Sequence, residues 1–320
     1  MKILAIQNRM GIGDTVIFLP YIKAISEHYK NPVNILVKKT SKAEEFLYQT
    51  KYIDQIITLD RNNEKDGNHD GFIGSVNLIT QLRKYKFDVA FIFNSSLRYK
   101  IITKLCGIKK IYQYPLFKKK NQNIINAAKS FIQKELLINV KENPEINLDE
   151  NLIKSTADTY KIDKKQTNIL LGIGGSGPTK RIPAKIFLTV IQEILKLKDC
   201  RFFLATGQSF EEQIILKEII NSNFKDRLIS LDNLSIKQTL PVIKNCDVSI
   251  CNDSSFSHLS SALGIETITL MADTPLLYGN YSSKMHPVIP DGVETVTHNT
   301  LGKDKINPYK ILEILKKILN

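Results

Sequence analysis

Three stretches of the chain combine glycines, hydroxyls and charged side chains at spacings that suit the holding of an anionic group. The first is Gly172-Ile-Gly-Gly-Ser-Gly-Pro-Thr-Lys180-Arg-Ile-Pro183. The apolar run Asn168–Ile173 before it reads as a strand buried on both faces, and Pro183 reads as the first residue of a helix running to about Leu197. Glycines between a strand and a helix let backbone N–H groups approach an anion, and the helix N-terminus adds partial positive charge. Gly175, Ser176 and Lys180 are therefore candidates for phosphate contact. The spacing is close to a P-loop but departs from it, because Pro178 and Thr179 stand between Gly177 and Lys180 where the P-loop has Lys followed by Ser or Thr. That sets aside a kinase or GTPase of the P-loop type. The plain alternative is a tight turn with a solvated lysine.

The second stretch is Cys251-Asn-Asp253-Ser254-Ser255-Phe-Ser-His258-Leu. Asp253 and Ser254 end an apolar strand, and Ser255 begins a helix with His258 on its first turn, so N–H groups and hydroxyls converge where a diphosphate could lie. A well-capped helix with a packed histidine is the other reading. Asp253 and His258 do not form a hydrolase triad with a nucleophile elbow, since the chain contains no G-x-S-x-G. Gly207-Gln-Ser-Phe-Glu211 follows a further strand; Glu211 could accept hydrogen bonds from a sugar, or serve as a first-turn carboxylate favoured by the helix dipole.

The third stretch is Gly11-Ile-Gly13-Asp14. It begins like the dinucleotide signature G-x-G-x-x-G, but Val16 occupies the third glycine's place and the next strand ends in Val37-Lys38-Lys39 rather than an acidic residue, which argues against an NAD-dependent enzyme. Asp14 is either a helix cap or a general base at a strand's carboxyl end. No D-x-D occurs and the five histidines are scattered, so no divalent cation is implied.

These residues need a scaffold of alternating strands and helices, and the sequence supplies one. Lys2–Gln7, Val33–Val37, Gln55–Leu59, Asp88–Phe93 and Lys109–Tyr112 read as strands separated by helix-period runs, and the rhythm resumes at Thr167–Ile173, Arg201–Ala205, Arg227–Leu231, Asp247–Cys251 and Thr267–Met271. Such alternation predicts parallel sheets with helices on both faces. At 320 residues the chain exceeds what one core usually supports. The expected division is 1–160, 161–305 and a terminal helix, 306–320, crossing back onto the first domain. Two doubly wound domains would face each other across a cleft at the carboxyl ends of their strands.

Cys106, Cys200, Cys246 and Cys251 form no C-x-x-C pair, which fits a reducing cytoplasm rather than a disulfide framework. The start shows no signal-peptide pattern and no apolar run approaches membrane-spanning length, so the expected location is the cytoplasm. The net charge of +13 admits nucleic acid, an anionic membrane face or a phosphorylated substrate as partners. Lys109-Lys110 and Lys118-Lys119-Lys120, with Tyr112, Tyr114, Leu116 and Phe117 among them, suit anionic headgroups or a solvated loop.

Taken together the motifs resemble glycosyltransferase family 9, the heptosyltransferases of lipopolysaccharide core synthesis. The resemblance is carried in order by Gly11-Ile-Gly-Asp14-Thr-Val with Leu19-Pro20, Lys180-Arg-Ile-Pro183, Gly207 through Glu211, Leu234-Ser235, Asp253-Ser-Ser-Phe-Ser-His258-Leu, and Thr274-Pro275. It implies an α/β chain of the GT-B fold, made of two Rossmann-like domains, and no cofactor. It implies inverting, metal-independent transfer of a sugar, heptose from ADP-heptose, to a glycan or anionic glycolipid acceptor. It further implies contact with the cytoplasmic face of the inner membrane and no nucleic-acid partner. By resemblance Asp14 is the base, and Gly13 beside it is a donor-binding residue. Lys180 contacts the donor diphosphate, Glu211 the ribose and Leu234 the adenine. Asp253, Ser254, Ser255 and His258 surround the phosphates. The family's Asp-Thr-Gly is here Asp253-Ser254-Ser255, and its hydroxyl residues before the lysine are here Gly175 and Ser176. The rival readings are a GT-B nucleotide-sugar epimerase or hydrolase, and a non-catalytic protein binding a nucleotide sugar or an anionic surface.

Overall fold

A computed structural model describes residues 1–62, 64, 66–115 and 123–320, in two compact units, Met1–Asn147 and Leu148–Asn320. The cluster Lys118-Lys119-Lys120, with Leu116 and Phe117, lies outside the described residues.

The first unit runs β1 (Ile3–Ile6), α1 (Ile12–Tyr29), β2 (Val33–Lys38), α2 (Ala43–Phe46), β3 (Ile53–Leu59), α3 (Gly71–Arg83), β4 (Val89–Ile92), α4 (Leu97–Leu105), β5 (Lys110–Gln113) and α5 (Ile124–Leu136). Its five strands are all parallel, in the order β3-β2-β1-β4-β5. β1 and β4 are buried throughout, as strands covered by helices on both faces must be. Side-chain alternation divides the core. Leu4, Ile6, Ala90 and Ile92 pack with Leu78 and Leu82 of α3 and Tyr99 and Ile102 of α4. On the opposite face Phe93 meets Phe18 of α1 and Phe131 of α5 edge to face. α1 is buried along most of its length, which explains why its sequence is apolar on nearly all sides.

The second unit runs α6 (Glu150–Thr159), β6 (Thr167–Gly172), α7 (Ala184–Leu195), β7 (Cys200–Ala205), α8 (Phe210–Ile220), β8 (Leu228–Ser230), α9 (Ile236–Asn245), β9 (Val248–Asn252), α10 (Ser255–Ala262), β10 (Glu266–Leu270), β11 (Met285–Val288) and α11 (Pro308–Leu319). Its six parallel strands take the order β11-β10-β9-β6-β7-β8. Both units thus repeat one topology, in which the first strand of the sheet lies beside two strands reached by opposite crossovers.

Three sequence expectations change. The boundary falls at 147/148 rather than 160/161, because α6 packs on α9 and Asn245 Nδ2 donates to the Ile153 carbonyl, 2.9 Å. The terminal helix belongs to the second unit: Ile311, Leu312 and Leu315 of α11 are buried with Ile186, Val190 and Ile194 in that unit's core. Pro183 precedes α7 as its capping residue instead of opening it, with extended ψ. Among the described residues no helix is long and apolar enough to cross a membrane.

Candidate functional site

In the first unit, Asp14 sits in the first turn of α1, directly beyond β1. β1 is the strand between β2 and β4, so the turn after it opens where the strand order reverses, the place at which open parallel sheets receive ligands. The Asp14 carboxylate accepts a hydrogen bond from the Gly11 N–H at 3.2 Å and lies 3.4 Å from Arg9 Nη1. It therefore performs capping, although at the third helical position rather than at the cap itself. Its side chain stays partly open to solvent at 23%. Gly13 precedes it within the same turn. The turn is tied to the neighbouring strand end by Asn94 Nδ2, which donates to Asn8 Oδ1 at 2.7 Å.

The second unit has the same reversal between β9 and β6, and two nominated residues meet there. Lys180 Nζ lies 2.7 Å from Asp253 Oδ2, with the lysine side chain 24% exposed and the aspartate 6%. Burial acts to raise the Asp253 pKa, but the charges of Lys180 and then His258 outweigh it and hold the carboxyl below its ordinary value. Beneath the pair, Asn252 Nδ2 donates to the Ile173 carbonyl at 2.7 Å, so the ends of β9 and β6 are bonded across the reversal by a buried side chain. Gly172 permits the close approach of these strands, because a Cβ there would fall 2.6 Å from Cys251 Sγ.

The glycine loop after β6 is pinned rather than open. Gly175 N–H donates to Glu212 Oε1 at 2.9 Å and its carbonyl accepts from Arg181 Nε at 3.0 Å. The sequence offered Gly175 as an N–H donor to an anion; the structure gives that N–H a protein partner. Ser176, the next residue, is exposed. Arg181 also lies 3.6 Å from Glu211 Oε2, and Glu211 extends into solvent at 64% exposure from the first turn of α8. Leu234 is half-buried just before α9, whose capping residue is Ser235.

Ser254 precedes α10 in extended backbone without a side-chain capping bond, and Ser255 is the helix's first residue. His258, one turn in, is buried with Nδ1 2.8 Å from the Tyr281 hydroxyl, and the two rings stack at 5.6 Å. Burial, with the Asp253 charge, pushes the Tyr281 phenol well up, so it keeps its proton beside the histidine ring. The second unit thus brings together Gly175, Ser176, Lys180, Glu211, Asp253, Ser254, Ser255 and His258 on the loops and helix starts that follow three neighbouring strands, β7, β6 and β9. A glycine loop, one cation, a helix N-terminus and a peripheral carboxylate can hold a diphosphate with an attached sugar.

Sequence reasoning missed Arg181, Glu212 and Tyr281. Ser209-x-x-Glu212 is a capping-box pattern and carried a signal for Glu212; nothing local marks Tyr281, which reaches His258 from 23 residues away. A separate cavity of about 660 Å³ in the first unit, lined by Gln113, Tyr114, Asn126, Phe131 and Lys134 among others, contains none of the nominated residues. Among the described residues no group of three or more His, Cys, Asp or Glu is placed to hold a metal ion.

The profile of Glycosyltransferase family 9 (heptosyltransferase) matches residues 76–288. The chain is 23% identical over 357 residues to lipopolysaccharide heptosyltransferase 1 of Campylobacter coli, covering 99% of both chains. Its fold is similar to that of the E. coli ADP-heptose lps heptosyltransferase II, with a TM-score of 0.73 at 17% identity, covering 100% of this chain and 98% of that one. It is likewise similar to the E. coli heptosyltransferase WaaC with ADP, with a TM-score of 0.74 at 13% identity, covering 99% and 100%. These likenesses place the two parallel-sheet units in the GT-B fold and do not favour the epimerase or binding-protein alternatives. With two thirds of its length matched by one profile and its nominated residues standing at the strand ends of two doubly wound units, the chain belongs to glycosyltransferase family 9, the heptosyltransferase family.

Proposed function

We propose that the chain is an inverting, metal-independent transferase that moves heptose from ADP-heptose onto a lipopolysaccharide core or related glycan. The observation that carries the donor half is the Lys180–Asp253 pair over the strand-order reversal of the second unit. A buried carboxylate holds one cation beside a glycine loop and a helix N-terminus, and an incoming diphosphate can share that cation. The relatives named above, one of them with ADP, support adenine as the base and heptose as the sugar.

In this reading Asp14 accepts the proton of an acceptor hydroxyl while that oxygen attacks the anomeric carbon and the bond from carbon to diphosphate oxygen breaks. Negative charge then grows on the leaving ADP, where Lys180 and the N-terminus of α10 stabilise it. Glu211 takes the ribose hydroxyls, Leu234 lies beside the adenine, and Ser176, Ser254, Ser255 and His258 border the phosphates.

The acceptor's lipid surroundings have a matching feature in the first unit. The outer sides of α3 and α4 expose Phe72, Ile73, Leu97, Ile101 and Leu105, with Lys100 and Lys104 interleaved along α4. Apolar side chains with a basic rim suit an anionic bilayer surface, which supports a location at the cytoplasmic face of the inner membrane.

The test is a panel of ADP-, GDP- and UDP-linked sugars with lipid A-core acceptors, read by product mass. ADP-heptose should turn over best. A positioned base contributes roughly 10²–10⁴-fold, so Asp14→Ala should lose that much turnover while binding ADP as the wild type does. Full activity in Asp14→Ala would return this residue to capping alone, and turnover only with GDP- or UDP-linked sugars would refute the donor assignment.

A further inference from the structure

We propose that Glu212 is a positioning residue that locks the glycine loop 174–177 in the shape that receives the donor. The claim about the donor rests on the transferase reading above; the claim about the loop does not.

Glu212 stands at the third position of α8. One oxygen does ordinary helix work: Oε2 accepts from Ser209 Oγ at 2.8 Å and faces the Ser209 N–H at 3.4 Å, while Glu212 N–H donates to Ser209 Oγ at 3.4 Å. A capping box needs no more than this. The other oxygen leaves the helix: Oε1 accepts the Gly175 N–H at 2.9 Å, joining loops that follow adjacent strands, β6 and β7.

Glycines line the carboxylate's corridor on both sides. A Cβ on Gly174 would come 2.6 Å from Oε1, and one on Gly207 would come 2.4 Å from Oε2. Gly174, Gly207 and the Ser209-x-x-Glu212 pattern are therefore explained by one side chain. Arg181 holds the opposite end of the same peptide residue through the Gly175 carbonyl. Gly175 is thus gripped at both its N–H and its C=O, and the exposed Ser176 and the cationic Lys180 take their positions from it. Losing a hydrogen bond to a charged acceptor at such a point frees the segment as a whole.

The experiment compares Glu212→Ala and Glu212→Gln with wild type by amide exchange of peptides spanning 173–180 in the ligand-free protein, and by kinetics with ADP-heptose. Gln keeps an oxygen for the Gly175 N–H and an amide for Ser209 Oγ. Loss of one charged hydrogen bond corresponds to roughly tenfold, so Glu212→Ala should exchange at least tenfold faster across the loop and raise donor KM by a similar factor, with acceptor KM unchanged. Glu212→Gln should restore both to within about threefold of wild type. Should Glu212→Ala fail to fold, Gly207→Ala displaces the carboxylate while keeping the residue, and should reproduce the exchange result. Unchanged exchange in the folded alanine variant overturns the proposal; faster exchange with unchanged donor KM reduces Glu212 to a purely structural role and also overturns it. If the wild type turns over no ADP-linked sugar, the functional reading fails, and the exchange comparison alone decides whether Glu212 holds the loop.

Discussion

Replacing Lys180 by methionine should cost stability as well as donor binding, for a reason visible in its partner. Asp253 is 6% exposed, and its carboxylate is compensated by a lysine nitrogen 2.7 Å away. Removing one member of a fully buried pair costs about 3–5 kcal/mol, but the lysine side chain is 24% exposed, so water can partly replace it and a loss of about 2 kcal/mol is expected. In a unit of this size that is a fall in Tm of roughly 4–8 °C. The pH dependence gives a sharper check. In the wild type the Asp253 pKa is depressed, so its stabilisation is present above the ordinary carboxylate range and is lost as pH falls through the folded value. Without Lys180, burial is opposed only by His258 and the Thr274 hydrogen bond, and the folded pKa should rise above the unfolded one. The variant's stability is then greatest below the unfolded pKa and declines as pH rises through the folded value. The gap between wild type and Lys180→Met should be widest near pH 7 and narrow on acidification. Adding Asp253→Asn to Lys180→Met removes the stranded charge and should recover most of the Tm without recovering ADP affinity. Calorimetric melts from pH 4.5 to 8, with ADP titrations at pH 7, test all of this. A single variant melting within 1 °C of wild type at pH 7, or a double variant no more stable than the single, would refute the reasoning.

Other outcomes follow from burial and exposure. Leu315→Ala in α11 opens a cavity in the second unit's core and should cost about 2–4 kcal/mol by urea denaturation; a loss below 0.5 kcal/mol would contradict the packing described for this helix. Ile101→Ser with Leu105→Ser should weaken binding to vesicles of anionic lipid, in a salt-sensitive manner, while leaving transfer to a soluble acceptor fragment unchanged; equal vesicle binding by variant and wild type would remove α4 from the membrane surface.

The strands and their alternation with helices were legible because parallel strands buried on both faces tend to be continuous apolar runs, as Ile3–Ile6 and Val89–Ile92 are. β11 was not legible: Met285-His-Pro-Val288 is short, contains a proline and lies at the sheet edge, where a missing N–H is tolerated. The path of α11 was hidden for another reason. Its pattern Ile311, Leu312, Leu315 shows which side is apolar but not which core receives it. At the site, the spacing of glycine, lysine and aspartate identified the loops, since local backbone needs dictate local residue types. It did not show that Lys180 and Asp253, 73 residues apart, would be partners, or that Tyr281 would stand against His258. Those contacts are set by strand order, which a list of strands in sequence does not contain. The sequence leaves Asp14 as either cap or base, and the geometry shows that capping leaves the carboxylate partly accessible.

The bond from Asn252 to the Ile173 carbonyl bears on how this family could be recombined. It fastens the base of the glycine loop to the base of the aspartate segment, so the two travel as one mechanical part despite their separation in sequence. A chimaera that imports only one of these loops from a relative would seat it on a foreign anchor, and its lysine or its aspartate would arrive out of register. Grafts intended to alter sugar preference should therefore carry both segments, together with the asparagine, as a single cassette.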